Sequence, residues 1–413
     1  MRHPPARLAV LLATGALAAC DDHGVRGDGI AVRDSAGVQI VTIQPPDPSV
    51  PRWTAASPPT VTIGAADGSV DELLHNVYAA LRTSDGSYVV ANAGSFELRR
   101  FDAEGSYRRS IGREGDGPGE FRFPRYLASL PGDSVLAFDR SNQRISLFDP
   151  EGGFVTSWSA RVAGAPPIQN AVGVAVGGVV LRGFIGDDPD TPGRYIAPEV
   201  LGVFDRIGNA YRTIDTIGGP EAAQVDRDGR LRAAMVPFAL KSDVAAAGDL
   251  VFALDTEAEG SLNIYDHSGA LVRILRFASE RLAISPAMVS DWIESFFDVN
   301  DFQFEQVEEA WRAGFEQVEV PDRIPLFRSL VATDVGAVCA ERYGPLESTP
   351  PVYWCFTPEG HWTRIVAIPA GLKRTGFPHQ DPQVRIGMDY VLGVWKDELG
   401  VESVREYELR AAR

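Results

Sequence analysis

Two short stretches crowd charged and amide side chains close enough to act together. They are Arg113-Glu114-Gly115-Asp116-Gly117-Pro118-Gly119-Glu120 and Asp139-Arg140-Ser141-Asn142-Gln143-Arg144. A glycine-rich run can cradle a phosphate on its backbone N–H groups. This one lacks the Gly-Lys-Ser/Thr ending of a P-loop, and Pro124 with strand signals follows it instead of a helix. Its residue types suit a tight passage between strands, and on one face of the fold they form a ligand-binding candidate set: Arg113, Glu114, Asp116, Asp139, Arg140, Asn142 and Arg144. Acidic residues expected on the same face are Asp187, Asp188, Asp190, Glu257, Glu259, Asp397 and Glu398, with Arg194 beside them. Such an excess could hold calcium, but that needs six to eight converging oxygens, and no EF-hand spacing exists. Solvated loop acids are the plainer reading, so no metal ligand is assigned and no other cofactor is implied. Gly-x-Ser-x-Gly, His-Glu-x-x-His and Cys-x-x-Cys are all missing, and the six histidines are scattered. A lactonase-like, metal-dependent hydrolase or lyase would draw on amides such as Asn76, Asn92 and Asn170, though nothing singles them out. No catalytic residue follows from the sequence, and a non-enzymatic binding or scaffold module is the favoured expectation.

The first twenty residues address the chain. Arg2 and Arg7 precede an apolar run from Leu8 to Ala19 that ends in small residues and then Cys20. The run is too short to cross a bilayer, which takes about 20 residues as a helix, and has the order of a secretory signal. Leu17-Ala18-Ala19-Cys20 resembles the lipobox of bacterial lipoproteins. The resemblance implies removal of residues 1–19, acylation of the Cys20 sulfur and attachment to membrane lipid on the extracytoplasmic, periplasmic side of the cell envelope. Asp21 resembles the inner-membrane retention signal of enterobacterial lipoproteins. Residues 20–37 are polar and glycine-containing and read as a flexible tether, leaving 38–413 as the folded part. In an exported chain the two remaining cysteines, Cys339 and Cys355, suggest one disulfide between consecutive strands.

These features need a scaffold, and the chain supplies one by repetition. An aromatic residue, usually followed by Asp, precedes Gly by four positions in Phe101–Gly105, Phe148–Gly152, Phe204–Gly208, Tyr265–Gly269 and Phe356–Gly360. Asp at the first turn position with Gly at the fourth is hairpin chemistry. Upstream of the copies lie further strand pairs, as in Leu81–Val90 and Leu127–Asp139, so each unit is a four-stranded meander. An eroded sixth copy, Tyr407-Glu408-Leu409, lies near the end. Such a sheet is apolar on both faces and needs neighbours, which radial closure provides. The expected fold is all-β, a six-bladed β-propeller. Val61-Thr62-Ile63 looks like a fourth strand standing before any complete blade, so it should close the last one.

Ile111-Gly112 through Phe121 with Pro124, and Asp139-x-x-Asn142-x-Arg144-Ile145, are similar to the inter-blade loop and strand segment of NHL-type propellers. The pattern is clear over 110–159 and fades later. The resemblance implies a platform for proteins, RNA or small ligands, or occasionally an enzyme. Residues 283–328 break the repeat. Ser285-Pro286 reads as a helix start, and Met288, Trp292 and Phe296, then Phe304, Val307, Trp311 and Phe315, recur at helical spacing. This helical insertion between blades 4 and 5 should pack its aromatic stripe on the propeller rim.

Composition agrees with an exported, folded β protein. The 41 Gly and 29 Pro are many for 413 residues, while 45% hydrophobic and 23% charged residues are ordinary. With 39 Lys+Arg against 56 Asp+Glu, the net charge of −17 opposes binding to a nucleic-acid backbone. The expected partners are membrane lipid, through Cys20, and an envelope protein or small ligand of unknown identity.

Overall fold

The computed structural model describes residues 29–65, 68–161, 168–175, 177–184, 188–205, 210–227, 229–256, 260–299, 305–333, 336–346, 349–373, 382–397 and 399–412. Four short strands open the chain: β1 (Ile30–Ser35), β2 (Val38–Ile43), β3 (Arg52–Ala55) and β4 (Val61–Ile63). Two four-stranded antiparallel meanders follow. The first holds β5 (Val77–Arg82), β6 (Tyr88–Asn92), β7 (Glu97–Phe101) and β8 (Tyr107–Ile111). The second holds β9 (Pro124–Ser129), β10 (Val135–Asp139), β11 (Arg144–Phe148) and β12 (Phe154–Ser159). A third sheet comprises β13 (Ile168–Ala175), β14 (Gly178–Phe184), β15 (Gly193–Asp205), β16 (Tyr211–Arg227) and β17 (Arg230–Ala234). A fourth meander runs β18 (Asp243–Ala247), β19 (Leu250–Asp255), β20 (Ser261–Tyr265) and β21 (Leu271–Phe277). Helices α1 (Pro286–Val299) and α2 (Glu305–Phe315) come next. The chain ends with β22 (Phe327–Ala332), β23 (Val338–Arg342), β24 (Val352–Phe356) and β25 (Trp362–Ala367), then β26 (Arg385–Ile386), β27 (Tyr390–Lys396) and β28 (Glu402–Ala411).

The strands form because their residues alternate between two cores. In β10, Val135 and Ala137 pack toward the first meander, whereas Leu136 and Phe138 pack toward the third sheet. In β19, Val251 and Ala253 face the third sheet, and Phe252 and Leu254 face β22–β25. In β27, Val391 and Trp395 face β22–β25, while Leu392 and Val394 face the first meander. Each sheet thus buries both faces, which a period-two run of small and branched residues permits. First strands adjoin in succession, β5 to β9, β9 to β13, β13 to β18, β18 to β22 and β22 to β26, and β27 returns to β5. The circuit of sheets closes on itself.

The turns use the chemistry expected of them. Gly105, Gly152, Gly269 and Gly360 each donate their N–H to the residue three before, Asp102, Asp149, Asp266 or Thr357. Gly112 has φ +76°, and a Cβ there would strike Phe121, so only glycine fits where the chain leaves β8.

The N-terminal segment binds the ends of the circuit together. β4 pairs antiparallel with β28, Val404 opposite Ile63 and Glu406 opposite Val61. β3 pairs with both β25 and the tail of β28. β2 adds in parallel to the outer strand β21. Residues 30–37, expected to lie in the tether, instead form β1 and its turn against β2, because Ile30 is buried and Val32 packs beside it.

Two further expectations need correcting. The helical insertion ends earlier than 328, since Phe327 and Arg328 already belong to β22. Val307 is 41% exposed and leaves the apolar stripe, and Phe304 lies outside the described residues. Trp292, Phe296 and Phe315 pack on Met235, Phe238 and Tyr343, beside the long hairpin of the third sheet. The strands of that hairpin are 13 and 17 residues long and carry Pro198 and Gly218-Gly219-Pro220 within them. A shift of register between Ile196 and Pro198 absorbs the proline.

Cys339 and Cys355 stand opposite each other on β23 and β24 and form a disulfide closing 16 residues. Replacing both by alanine should lower stability by about 3 kcal/mol, read from denaturant unfolding, because the open loop returns entropy to the unfolded chain.

Candidate functional site

The loop 113–121 and the turn 139–144 do come together, and they satisfy one another. Asp139, at the end of β10, accepts N–H bonds from Arg122 (2.6 Å), Phe123 (2.9 Å) and Asn142 (2.8 Å). Asn142 Nδ2 donates to the Gly115 carbonyl at 3.0 Å, and the Arg144 guanidinium donates to that of Gly117. Arg113 pairs with Glu120, and Arg122 pairs with both Glu114 and Asp116. The hydrogen bonds from Arg122 hold the Asp116 carboxyl below its ordinary range. This network locks the passage from β8 to β9. Arg140 alone turns away, toward the hub, and donates to Gln169 Oε1 at 2.6 Å.

The described members of the acidic set, Asp188, Asp190 and Asp397, form no common site, as the reading of solvated loop acids expects. Asp188 accepts a bond from Tyr195, Asp190 is exposed, and Asp397 closes its own turn onto Leu399 and Val401. Asp187, Glu257, Glu259, Glu398 and Cys20 lie outside the described residues. Arg194 sits on the β15 extension and pairs with Glu221. Among the described residues no three His, Cys, Asp or Glu side chains gather as metal ligands. Asn92 is held by His75 and Ser95, and Asn76 bonds through its carbonyl to Ala93.

Asn170 is different. It lines a cavity of about 170 Å³ enclosed by β9, β13, β18, β22 and β26, at the hub of the circuit. Its Oδ1 is buried without a protein partner, as are Nε of Arg182 and Oε1 of Glu199. Arg182, on β14, is 1% exposed, with Nη1 3.3 Å from Asp243 Oδ1 and 3.9 Å from Glu199 Oε2. Ser242 donates to Glu199 at 2.7 Å, and Asp243 Oδ2 accepts the Leu330 N–H at 2.7 Å. One carboxylate therefore touches three sheets. Burial pushes the Asp243 carboxyl up to about 6, against the opposing pull of Arg182. Val244, Ala245, Leu330 and Val331 also line it, although their side chains belong to the cores between the sheets.

Side chains close the remaining gap in the ring. Two-residue β26 is too short to bridge it by backbone, so Arg385 reaches across to the carbonyls of Ala80 (2.8 Å) and Leu127 (2.7 Å). Gln383 accepts from the Leu127 N–H at 3.1 Å and donates its own N–H to Tyr78 at 2.8 Å. Tyr126, Ala246, Ala332 and Arg385 line both the cavity and a wider vestibule of about 660 Å³ at the opposite strand ends, so they form the waist between them. Near the cavity end, Tyr78 lies between the Arg125 guanidinium (4.7 Å) and the Lys373 ammonium (4.8 Å). Lys373 pairs with Glu402 at 2.6 Å; burial lowers its pKa, and Glu402 partly restores it.

None of the hub charges was legible in the sequence. Arg182, Glu199 and Asp243 are far apart in the chain and belong to no motif. A usable signal was an arginine inside the apolar run Val179-Val180-Leu181-Arg182-Gly183-Phe184, since a charge in a buried strand must have partners.

No family model matches the chain. A segment of 83 residues, 20% of the chain, is 36% identical to the RING finger protein nhl-1 of Caenorhabditis elegans, so the chain spans 8% of the length of that curated relative. Among solved structures, a member of the DUF4221 family from Bacteroides vulgatus aligns over 88% of this chain and 100% of its own, with 10% identity and a TM-score of 0.44. The calcium-binding protein regucalcin from Agrobacterium tumefaciens aligns over 83% and 93%, with 11% identity and a TM-score of 0.40. The chain is thus similar to an NHL protein over one fifth of its length, and its likeness to the solved structures is too distant to carry an activity across.

Proposed function

We propose that this chain is a six-bladed β-propeller held outside the cytoplasm by an acylated Cys20, acting as a binding module whose ligand enters the hub cavity. The observation that carries this reading is the set of buried, unpartnered polar atoms at the cavity, Asn170 Oδ1 and Arg182 Nε. Buried polar atoms without partners cost about 1–3 kcal/mol each, and a ligand that satisfies them recovers that cost. The cavity suits a small polar molecule. The envelope location is supported by the signal-like start and the lipobox resemblance.

The test uses the full chain in detergent, screened by thermal shift against small hydroxy acids, sugars and amino acids. A ligand at 100 times its Kd should add about 2.7 kcal/mol of stability. Asn170→Leu should keep the unliganded melting temperature or raise it, while reducing ligand affinity at least tenfold. Equal affinity in the variant would remove the cavity from consideration.

A second reading, a hydrolase or lyase, is favoured by one observation: the raised Asp243 carboxyl beside the cavity, a suitable acid or base near neutral pH. Turnover of lactones or sugars, lost with Asp243→Asn and sensitive to EDTA in the metal-dependent form, would establish it.

A further inference from the structure

We propose that the loop Leu282–Ala287, with the arginines around it, is the surface on which the anchored protein rests against an anionic lipid bilayer. This inference depends on the acylation of Cys20. Because β1 begins at Ile30, only residues 21–29 separate Cys20 from the folded sheet. Even fully extended, that stretch reaches about 30 Å, so the bilayer must lie close to where the chain emerges.

The place of emergence is well defined. Ile30 pairs with Ile43, Ile43 pairs with Phe277, and Ile43 accepts the Ala278 N–H at 2.9 Å. Four residues beyond Ala278 stands Leu282, 68% exposed. It is held in place by the Ile324 N–H on its carbonyl (2.9 Å) and by the bridge between Ala283 and Arg323. From Leu282 to Ala287 the chain reads Leu-Ala-Ile-Ser-Pro-Ala, with no charge, and only Ile284 is partly buried. Trp362, half-buried, donates its indole N–H to the Gln44 carbonyl beside the same exit. Such an amphipathic ring suits a boundary between water and lipid.

Charge narrows the choice of face. A protein of net charge −17 is repelled by anionic headgroups over most of its surface. At this loop Arg281 and Arg323 lie close enough to repel each other, with Glu280 and Asp322 as their chain neighbours. Leu399 and Val70 are even more exposed, but acids adjoin them in the chain and no arginine does. An exposed apolar loop beside two arginines, tied within reach of an acyl chain, supplies the second signal that stable peripheral attachment requires. The same end of the fourth meander carries Asp243, so the hub cavity would open on the lipid-facing side.

The test places an environment-sensitive NBD label at Leu282→Cys, and separately at Leu399→Cys and Val155→Cys. Each full-length, acylated protein is reconstituted in vesicles of phosphatidylglycerol and phosphatidylethanolamine. The label at 282 should shift to the blue and be quenched at least twofold by spin-labelled lipid, while those at 399 and 155 remain aqueous. Equal, aqueous spectra at all three positions with Cys20 acylated by mass would overturn the proposed face and leave the anchor standing. A mass showing unmodified Cys20 would overturn both.

Discussion

Deleting residues 38–64 should abolish cooperative folding. The deletion removes β2, β3 and β4, which contact three different parts of the circuit. Ile40, Val41, Ile43 and Ile63 are all nearly or fully buried. At about 1.5–3 kcal/mol for each such side chain, their loss costs about 6–12 kcal/mol. Total stabilities are about 5–15 kcal/mol, so little or nothing remains. The backbone adds to the effect: without β4, the edge of β28 is left unpaired where it faces β4 now. Circular dichroism and gel filtration of the truncated chain provide the measurement. A monomeric, cooperatively melting product would mean that the circuit closes without its N-terminal strands. A milder variant, Ile63→Asp, isolates the closing strand and should weaken folding by several kcal/mol while leaving β2 and β3 in place.

The two halves of this closure differ in how far they could be read in advance. β4 was legible because Val61-Thr62-Ile63-Gly64 repeats the end of β8, Ser110-Ile111-Gly112, and a stretch within β16, Thr216-Ile217-Gly218. β2 and β3 were not, since a strand that adds in parallel to an outer edge carries no turn to mark its partner. The hairpins were legible for the opposite reason: Asp102 and Gly105 fix their turn locally, whatever the rest of the chain does. The extension of β15 and β16 was lost to Pro198 and Gly218-Gly219-Pro220, where a bulge tolerates what a regular ladder would not. For the site, the motif-like residues Asp139, Asn142 and Arg144 hydrogen-bond to the backbone of one loop. The unmarked Arg182, Glu199 and Asp243 meet only after three strands assemble. Local sequence records local geometry, and a hub built from one residue per strand leaves almost no trace in it.

Replacing Arg182 by methionine should destabilise the protein by about 3–5 kcal/mol, the cost of leaving buried charges without their partner. Methionine fills a similar volume, so the effect isolates charge from packing. Glu199 keeps Ser242, and Asp243 keeps the Leu330 N–H, but neither retains a cation. The pH dependence identifies the cause. With its folded pKa raised to about 6, Asp243 binds its proton more tightly in the folded state than in the unfolded chain, where about 3.9 is usual. Its contribution to stability is therefore full below about pH 4 and is lost as the pH rises through 6, a change of about 3 kcal/mol. Without Arg182 the carboxyl rises further, so the variant can escape part of its penalty by protonation at pH 5 but not at pH 8. Urea unfolding at the two values should give a larger deficit for Arg182→Met at pH 8. Asp243→Asn, which cannot titrate, should lose the inflection near pH 6. A deficit for Arg182→Met that is equal at both pH values would show that packing, and not the buried charge group, joins these three sheets at the hub.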